Sequence, residues 1–145
     1  MDQELKVKVD DACRAAEEFT KLYYENLDRR RHMMSKYYLD CGVVVWNGNG
    51  VIGKDMIQNL FMELPASEST LTSVDSHPIL DAAVGTQQTV LIQVAGFIKF
   101  QDKLVQPFQQ NFMVTAEGDK WKIVNDCFRF QEVIEPSEDA KPRLH

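Results

Sequence analysis

The ten residues Trp121-Lys122-Ile123-Val124-Asn125-Asp126-Cys127-Phe128-Arg129-Phe130 constrain the fold more than any other stretch of the chain. β-Branched and aromatic residues dominate them, Gly118-Asp119 supplies a turn just before, and no proline interrupts, so the segment reads as a strand. A side-chain period of two sends Val124, Asp126, Phe128 and Phe130 one way, and Ile123, Asn125, Cys127 and Arg129 the other. The first set suits a core. The second is too apolar for an ordinary wet face and too polar for an ordinary core. An arginine between two phenylalanines on such a strand calls for a covering surface able to satisfy a guanidinium.

Upstream, Ala12, Ala15, Ala16, Phe19, Leu22, Tyr23 and Leu27 recur at three- and four-residue steps, predicting an amphipathic helix over Val9 to Leu27. Asp28-Arg29-Arg30-Arg31-His32 breaks the pattern, with Asp28 as a cap, and a second short helix is expected through Met33, Met34, Tyr37 and Tyr38. The arginine run reads as a solvated corner. Cys41 to Trp46 is then a strand, and Asn47-Gly48-Asn49-Gly50 a hairpin turn that needs positive φ, leading into Val51-Ile52. Gly53 opens a third helix, Lys54 to Leu64, with Met56, Ile57, Leu60, Phe61 and Leu64 on one face and Pro65 as its stop. From Thr70 the chain alternates strand and turn: Leu71 to His77, Thr89 to Phe100, Val105 to Glu117, and the opening stretch. Short polar connections at 81–86, 101–103 and 118–119 make these strands antiparallel neighbours.

Helices first and a meander afterwards imply an α+β domain with the helices on one face of a sheet. Val90, Ile92, Val94, Ile98 and Phe100 form the apolar side of one strand, leaving Leu91, Gln93, Ala95 and Phe97 opposite. In the next, Phe108, Phe112 and Val114 face the core and Gln109, Asn111 and Met113 face away. With Asn125, Cys127 and Arg129 these build a patch of amides, Met, Phe and Arg at the centre of the sheet. A solvent-facing antiparallel sheet is one reading. The patch's poverty in Lys and Glu favours the other, a pairing face, because amides, Met, aromatics and Arg suit protein interfaces. A buried Arg129 would need an acid, and none of the chain's own is placed on this patch, which points to a different protein as partner.

At 145 residues the chain has the size of one domain. Its 44% hydrophobic and 26% charged residues are those of an ordinary globular protein, and a net charge of −6 argues against a broad nucleic-acid-binding surface. Cys13, Cys41 and Cys127 have no C-x-x-C spacing, so neither a disulfide framework nor a zinc site is expected. No run approaches the ~20 apolar residues of a membrane span, and the N-terminus has no apolar leader segment. A cytosolic or nuclear location is expected. Residues 132–145, with Pro136, Ser137, Glu138, Asp139 and Pro142, are expected to be a disordered tail.

The words Ala-Cys-Arg-Ala-Ala-Glu-Glu-Phe at 12–19, Val-Trp-Asn-Gly-Asn at 45–49 and Asp-Cys-Phe-Arg-Phe-Gln at 126–131 resemble the nuclear transport factor 2-related export proteins, within the nuclear transport factor 2-like superfamily. The resemblance spans about Leu5 to Gln131, taken as the domain. It implies a cone of three N-terminal helices packed on a curved, mainly antiparallel sheet. It further implies a non-enzymatic adaptor, without cofactor or metal, that pairs sheet to sheet with the large nuclear RNA export factor. Contact with nucleoporin Phe-Gly repeats would come through the heterodimer, which shuttles between nucleus and cytoplasm to export mRNA. The implied interface is Gln93, Ala95, Phe97, Gln109, Asn111, Met113, Asn125, Cys127 and Arg129, the set that alternation selects.

Two alternatives remain. A homodimeric import carrier for Ran-GDP would present acidic residues where this chain has Asn47 and Gln101 to Lys103, and Asp102 alone keeps a carboxylate, which argues against Ran as a partner. An isomerase or dehydratase could use the cone, with candidates Asp126, Asp75, His77, Tyr23, Tyr24 and Tyr38. Asp126 is most simply a carboxylate held by backbone N–H groups or a tyrosine hydroxyl. No nucleophile motif, phosphate loop or metal-ligand cluster stands in the sequence.

Overall fold

The computed structural model describes residues 3–79 and 88–131. Helix α1 spans Gln3–Arg29, a 3-10 helix Arg31–Tyr37, and α2 Lys54–Glu63; the strands are β1 Tyr38–Trp46, β2 Asn49–Ile52, β3 Ser67–Ile79, β4 Thr89–Phe100, β5 Gln106–Glu117 and β6 Lys120–Phe130. They form one curved six-stranded sheet in the order β2-β1-β6-β5-β4-β3. β3 to β6 pair antiparallel as expected, while β1 closes the sheet by a parallel pairing with β6. The fold class expected from sequence is the one observed. The expected turn at 81–86 and tail at 132–145 lie outside the described residues.

Helix α1 lays Ala12, Ala16, Phe19, Tyr23 and Leu27 on the inner face of the sheet. Its buried stripe is rotated from the expected one. Thr20 and Tyr24 are buried, whereas Leu22 is 52% exposed, because the helix packs toward β3 and β4. Asp28 is no cap: it lies within α1, and its carboxylate accepts from Ser67 Oγ (2.7 Å), Ser69 N (2.8 Å) and Ser69 Oγ (2.8 Å), pinning the helix end to β3. The 3-10 helix that follows has no side-chain cap at Arg30. In α2, Ile57 and Phe61 are buried, Leu60 and Leu64 pack on the core, and Met56 faces solvent. The β1–β2 hairpin takes positive φ at Asn47 (49°) and Gly48 (87°), the pairing required by a tight turn matching strand twist. Gly96 is fixed by contact instead: a Cβ there would lie 2.3 Å from the Thr70 carbonyl oxygen.

The largest departure from simple alternation is in β6. Met113 pairs with Asn125 but Val114 pairs with Ile123, so Val124 is an extra residue, a β-bulge. The bulge reverses the side-chain parity. Ile123 is therefore buried in the core and Val124 half-buried, opposite to the sequence expectation, while Asn125, Cys127 and Arg129 face outward as expected.

Candidate functional site: the outer face of the sheet

Two places could carry function: the buried polar cluster inside the cone and the uncovered face of the sheet. Inside, Asp126 is 0% exposed. Tyr38 Oη donates to its Oδ2 at 2.6 Å and Tyr23 Oη at 3.3 Å, and Gln110 Nε2 donates to its Oδ1 at 2.8 Å. Gln110 also donates to Tyr23 Oη (3.1 Å) and accepts from Tyr24 Oη (2.6 Å). One carboxylate thereby joins β6, β1, α1 and β5, and its three donors offset part of the cost of burying it. Burial nevertheless raises Asp126 from 3.8 to about 6, against the lowering effect of Tyr38, Gln110 and Tyr23, and it pushes the phenols of Tyr23, Tyr24 and Tyr38 well up.

This arrangement serves architecture better than proton transfer. A general base must reach substrate, yet Asp126 is enclosed by Tyr23, Tyr38, Phe112 and Phe128, each 0% exposed. The other catalytic candidates are not brought to it. Asp75 and His77 lie across from Gln93 and Leu91 on the opposite, outer side of the sheet, where both are exposed.

The raised acid makes a pH prediction. Asp126 holds its proton more tightly folded (about 6) than in the unfolded chain (3.8), so the stability it contributes is complete below the lower value and is lost as pH rises through the upper one. The difference corresponds to about 3 kcal/mol. Asp126→Asn keeps the shape, and tyrosine hydroxyls can donate or accept, so the variant should lack this pH dependence and be at least as stable as the parent at neutral pH. Urea unfolding at stepped pH checks it; parallel curves for the two chains would show that the carboxylate does not titrate in this window.

The outer face has another character. Cross-strand register sets Gln93, Asn111 and Cys127 in one row, Ala95, Gln109 and Arg129 in the next, and Met113 beside Asn125 in a third. Phe97, 45% exposed, pairs with Pro107 at the end of the grid. Ala95 and Met113 are half-buried and the remaining six polar or thiol-bearing residues exposed. The nine residues selected from sequence thus form one contiguous patch across β4, β5 and β6. Arg129 takes part in no ion pair among the described residues.

The placement of three residues on this face escaped the sequence reading. Val43 and Val45 of β1, half-buried, stand opposite Asn125 and Cys127 and extend the patch. Their alternation with buried Val44 was available as a signal. Asp75 stands opposite Gln93, so an acid of the chain does share the face, contrary to expectation. It sits in a Ser/Thr-rich strand whose faces composition does not separate. Asn47, where the import carrier would have an acid, instead accepts the Phe130 N–H at 2.8 Å through Oδ1.

A helix-covered, filled cone whose other sheet face no described residue covers has the architecture of a nuclear transport factor 2-type domain, and the family model for the nuclear transport factor 2 (NTF2) domain matches residues 15–130. NTF2-related export protein 2 of Homo sapiens is 44% identical over 133 residues, covering 89% of this chain and 94% of the relative. Among solved structures, nuclear transport factor 2 from Cryptosporidium parvum superposes with a TM-score of 0.73 at 22% identity, over 83% of this chain and 94% of that one. The Mtr2–Mex67 M domain complex of Candida albicans gives 0.69 at 18% identity, over 87% and 99%. The chain belongs to the NTF2 domain family, among its NTF2-related export proteins.

Proposed function

We propose that this chain, through a domain spanning Leu5 to Gln131, is a non-enzymatic adaptor that pairs face to face with the folded domain of the large nuclear RNA export factor and supports mRNA export. The observation that carries the proposal is the outer sheet face: amides, Met, a thiol and an exposed Arg with no ion pair among the described residues, in register over three central strands. The names of the export-protein relatives, and a same-fold neighbour solved as a two-protein complex, support it. By covering and ordering the partner's sheet, the adaptor holds the partner's Phe-Gly repeat pocket in shape, so nucleoporin contact comes through the pair. Such a role involves shuttling between nucleus and cytoplasm and needs no cofactor, membrane or direct nucleic-acid contact.

The charges on the face give the pairing a direction. Asp75 on β3 and Arg129 on β6 are three strands apart, about 14 Å at the usual strand spacing. A partner presenting a base and an acid at the reverse positions satisfies both and rejects a shifted register.

Co-expression with the partner domain, followed by gel filtration with light scattering, tests the reading. A one-to-one complex is expected, in which alkylation of Cys127, exposed in the free chain, slows at least tenfold. A homodimer indifferent to the partner domain, or Cys127 equally reactive in the complex, would reject the assignment.

A further inference from the structure

The connection between β4 and β5 carries Leu104, 84% exposed, and Val105, 57% exposed. It is a shaped turn: Asp102 takes φ 65°, and the Lys103 N–H donates to the Phe100 carbonyl at 3.0 Å. The chain then runs from Val105 through Gln106 into Pro107, which pairs with Phe97. Phe97 and Pro107 thus end the grid beside the row containing Ala95, Gln109 and Arg129, and the exposed Leu104 and Val105 lie in the connection just beyond that end. Two consecutive large apolar residues held in water at a turn tip gain nothing for the isolated fold.

The size of the pairing face explains where they belong. Even with Val43, Val45 and Asp75 added to the nine, the face falls short of the roughly 20–30 residues that each side of a standard interface contributes. The face must extend, and its two ends differ. Toward β3 it meets exposed Ser73, Asp75 and His77; toward the β4–β5 connection it meets Phe97, Pro107, Val105 and Leu104. Apolar area excluded from water adds attraction, whereas a polar end adds mainly register.

We propose that Leu104 and Val105 form an apolar clasp at the end of the pairing interface, seated in an apolar recess of the partner domain. This rests on the pairing proposed above and is separable from it. The hydrogen-bonded turn from Phe100 to Lys103 fixes where the two residues leave the sheet, so the contact acts mainly on dissociation.

The dissociation constant for the partner domain, measured by surface plasmon resonance, tests the clasp with three chains: the parent, the double variant Leu104→Ser/Val105→Ser, and Leu22→Ser on α1. The double variant should bind at least tenfold more weakly through faster dissociation, with the thermal midpoint of the free chain unchanged. Leu22→Ser, altering a similarly exposed apolar residue on the helical layer, should bind like the parent. A double variant within twofold of the parent overturns the clasp and leaves the pairing intact; failure of the parent itself to bind overturns the pairing. A lowered thermal midpoint in the double variant, or loss of self-association with pairing unchanged, also overturns it, placing the tip against its own fold or a second copy.

Discussion

Arg129→Glu should abolish pairing with the large export factor's domain, weakening it by at least a hundredfold, while the free chain keeps its fold and its thermal midpoint to within about 2 °C. The two halves of that expectation have separate causes. Within the chain, Arg129 is exposed and makes no ion pair among the described residues, so its replacement breaks none of theirs. Surface changes of that kind usually stay within about 0.5 kcal/mol. In the proposed complex the side chain lies beside Gln109 on the covered face, out of water. Losing one member of a desolvated charge pair costs about 2–5 kcal/mol, and reversal adds repulsion to the stranded partner acid. Affinity measured by isothermal titration calorimetry, alongside a thermal melt of the free variant, checks both halves. Undiminished binding would remove Arg129 from the interface, and restoration by a matching acid-to-base change on the partner would identify its counterpart.

Phe128→Ala, one residue earlier, should instead cost about 3–5 kcal/mol of stability. Phe128 is 0% exposed, stacks on Trp46 with centroids 3.9 Å apart and planes at 5°, and lies against Phe108 at 5.3 Å and Phe130 at 5.3 Å. Those rings come from β1, β5 and β6, so the cavity opens at a junction that no single strand can collapse to fill. For a domain of this length the thermal midpoint should fall by roughly 10–15 °C. An unchanged midpoint would mean that the inner and outer faces of β6 had been exchanged. Adjacent residues thus separate the two roles: one change acts on binding alone, the other on folding.

The parts of the molecule readable from its sequence are those where one period runs unbroken. β4 and β5 alternate apolar and polar without a bulge, so Gln93, Ala95, Gln109 and Asn111 were legible as outward. The Asn47-Gly48 turn was legible because few residues accept its dihedrals. In β6, Val124 carries no mark distinguishing a bulge from an ordinary strand residue, and Ile123 was misplaced by that one-residue slip. In α1, Leu22 and Tyr24 flank the apolar stripe, and hydrophobicity favours the leucine; the structure buries the tyrosine because its hydroxyl finds Gln110. Alternation puts Gln110 inward with Phe108 and Phe112, but only the structure shows the Asp126, Tyr23 and Tyr24 that satisfy its amide. Asp75 was hidden by the Ser and Thr around it, although it is the chain's own acid on the pairing face.

The parallel seam between β1 and β6 sets the order in which this surface comes into being. Val44 pairs with Asp126 across more than eighty residues, and the carboxylate of Asp126 draws its donors from positions 23, 38 and 110. Contacts so distant along the chain form late and slowly, since the loop must close before any of them contributes. On the ribosome, a nascent chain that stops short of β6 has neither the closing strand nor the ring stack on Trp46. Arg129 and Cys127 arrive on that same strand. On the proposed pairing, a half-made chain would thus offer its partner no complete surface: the elements that complete the fold are those that complete the outer face, and assembly would wait for synthesis of the domain through β6.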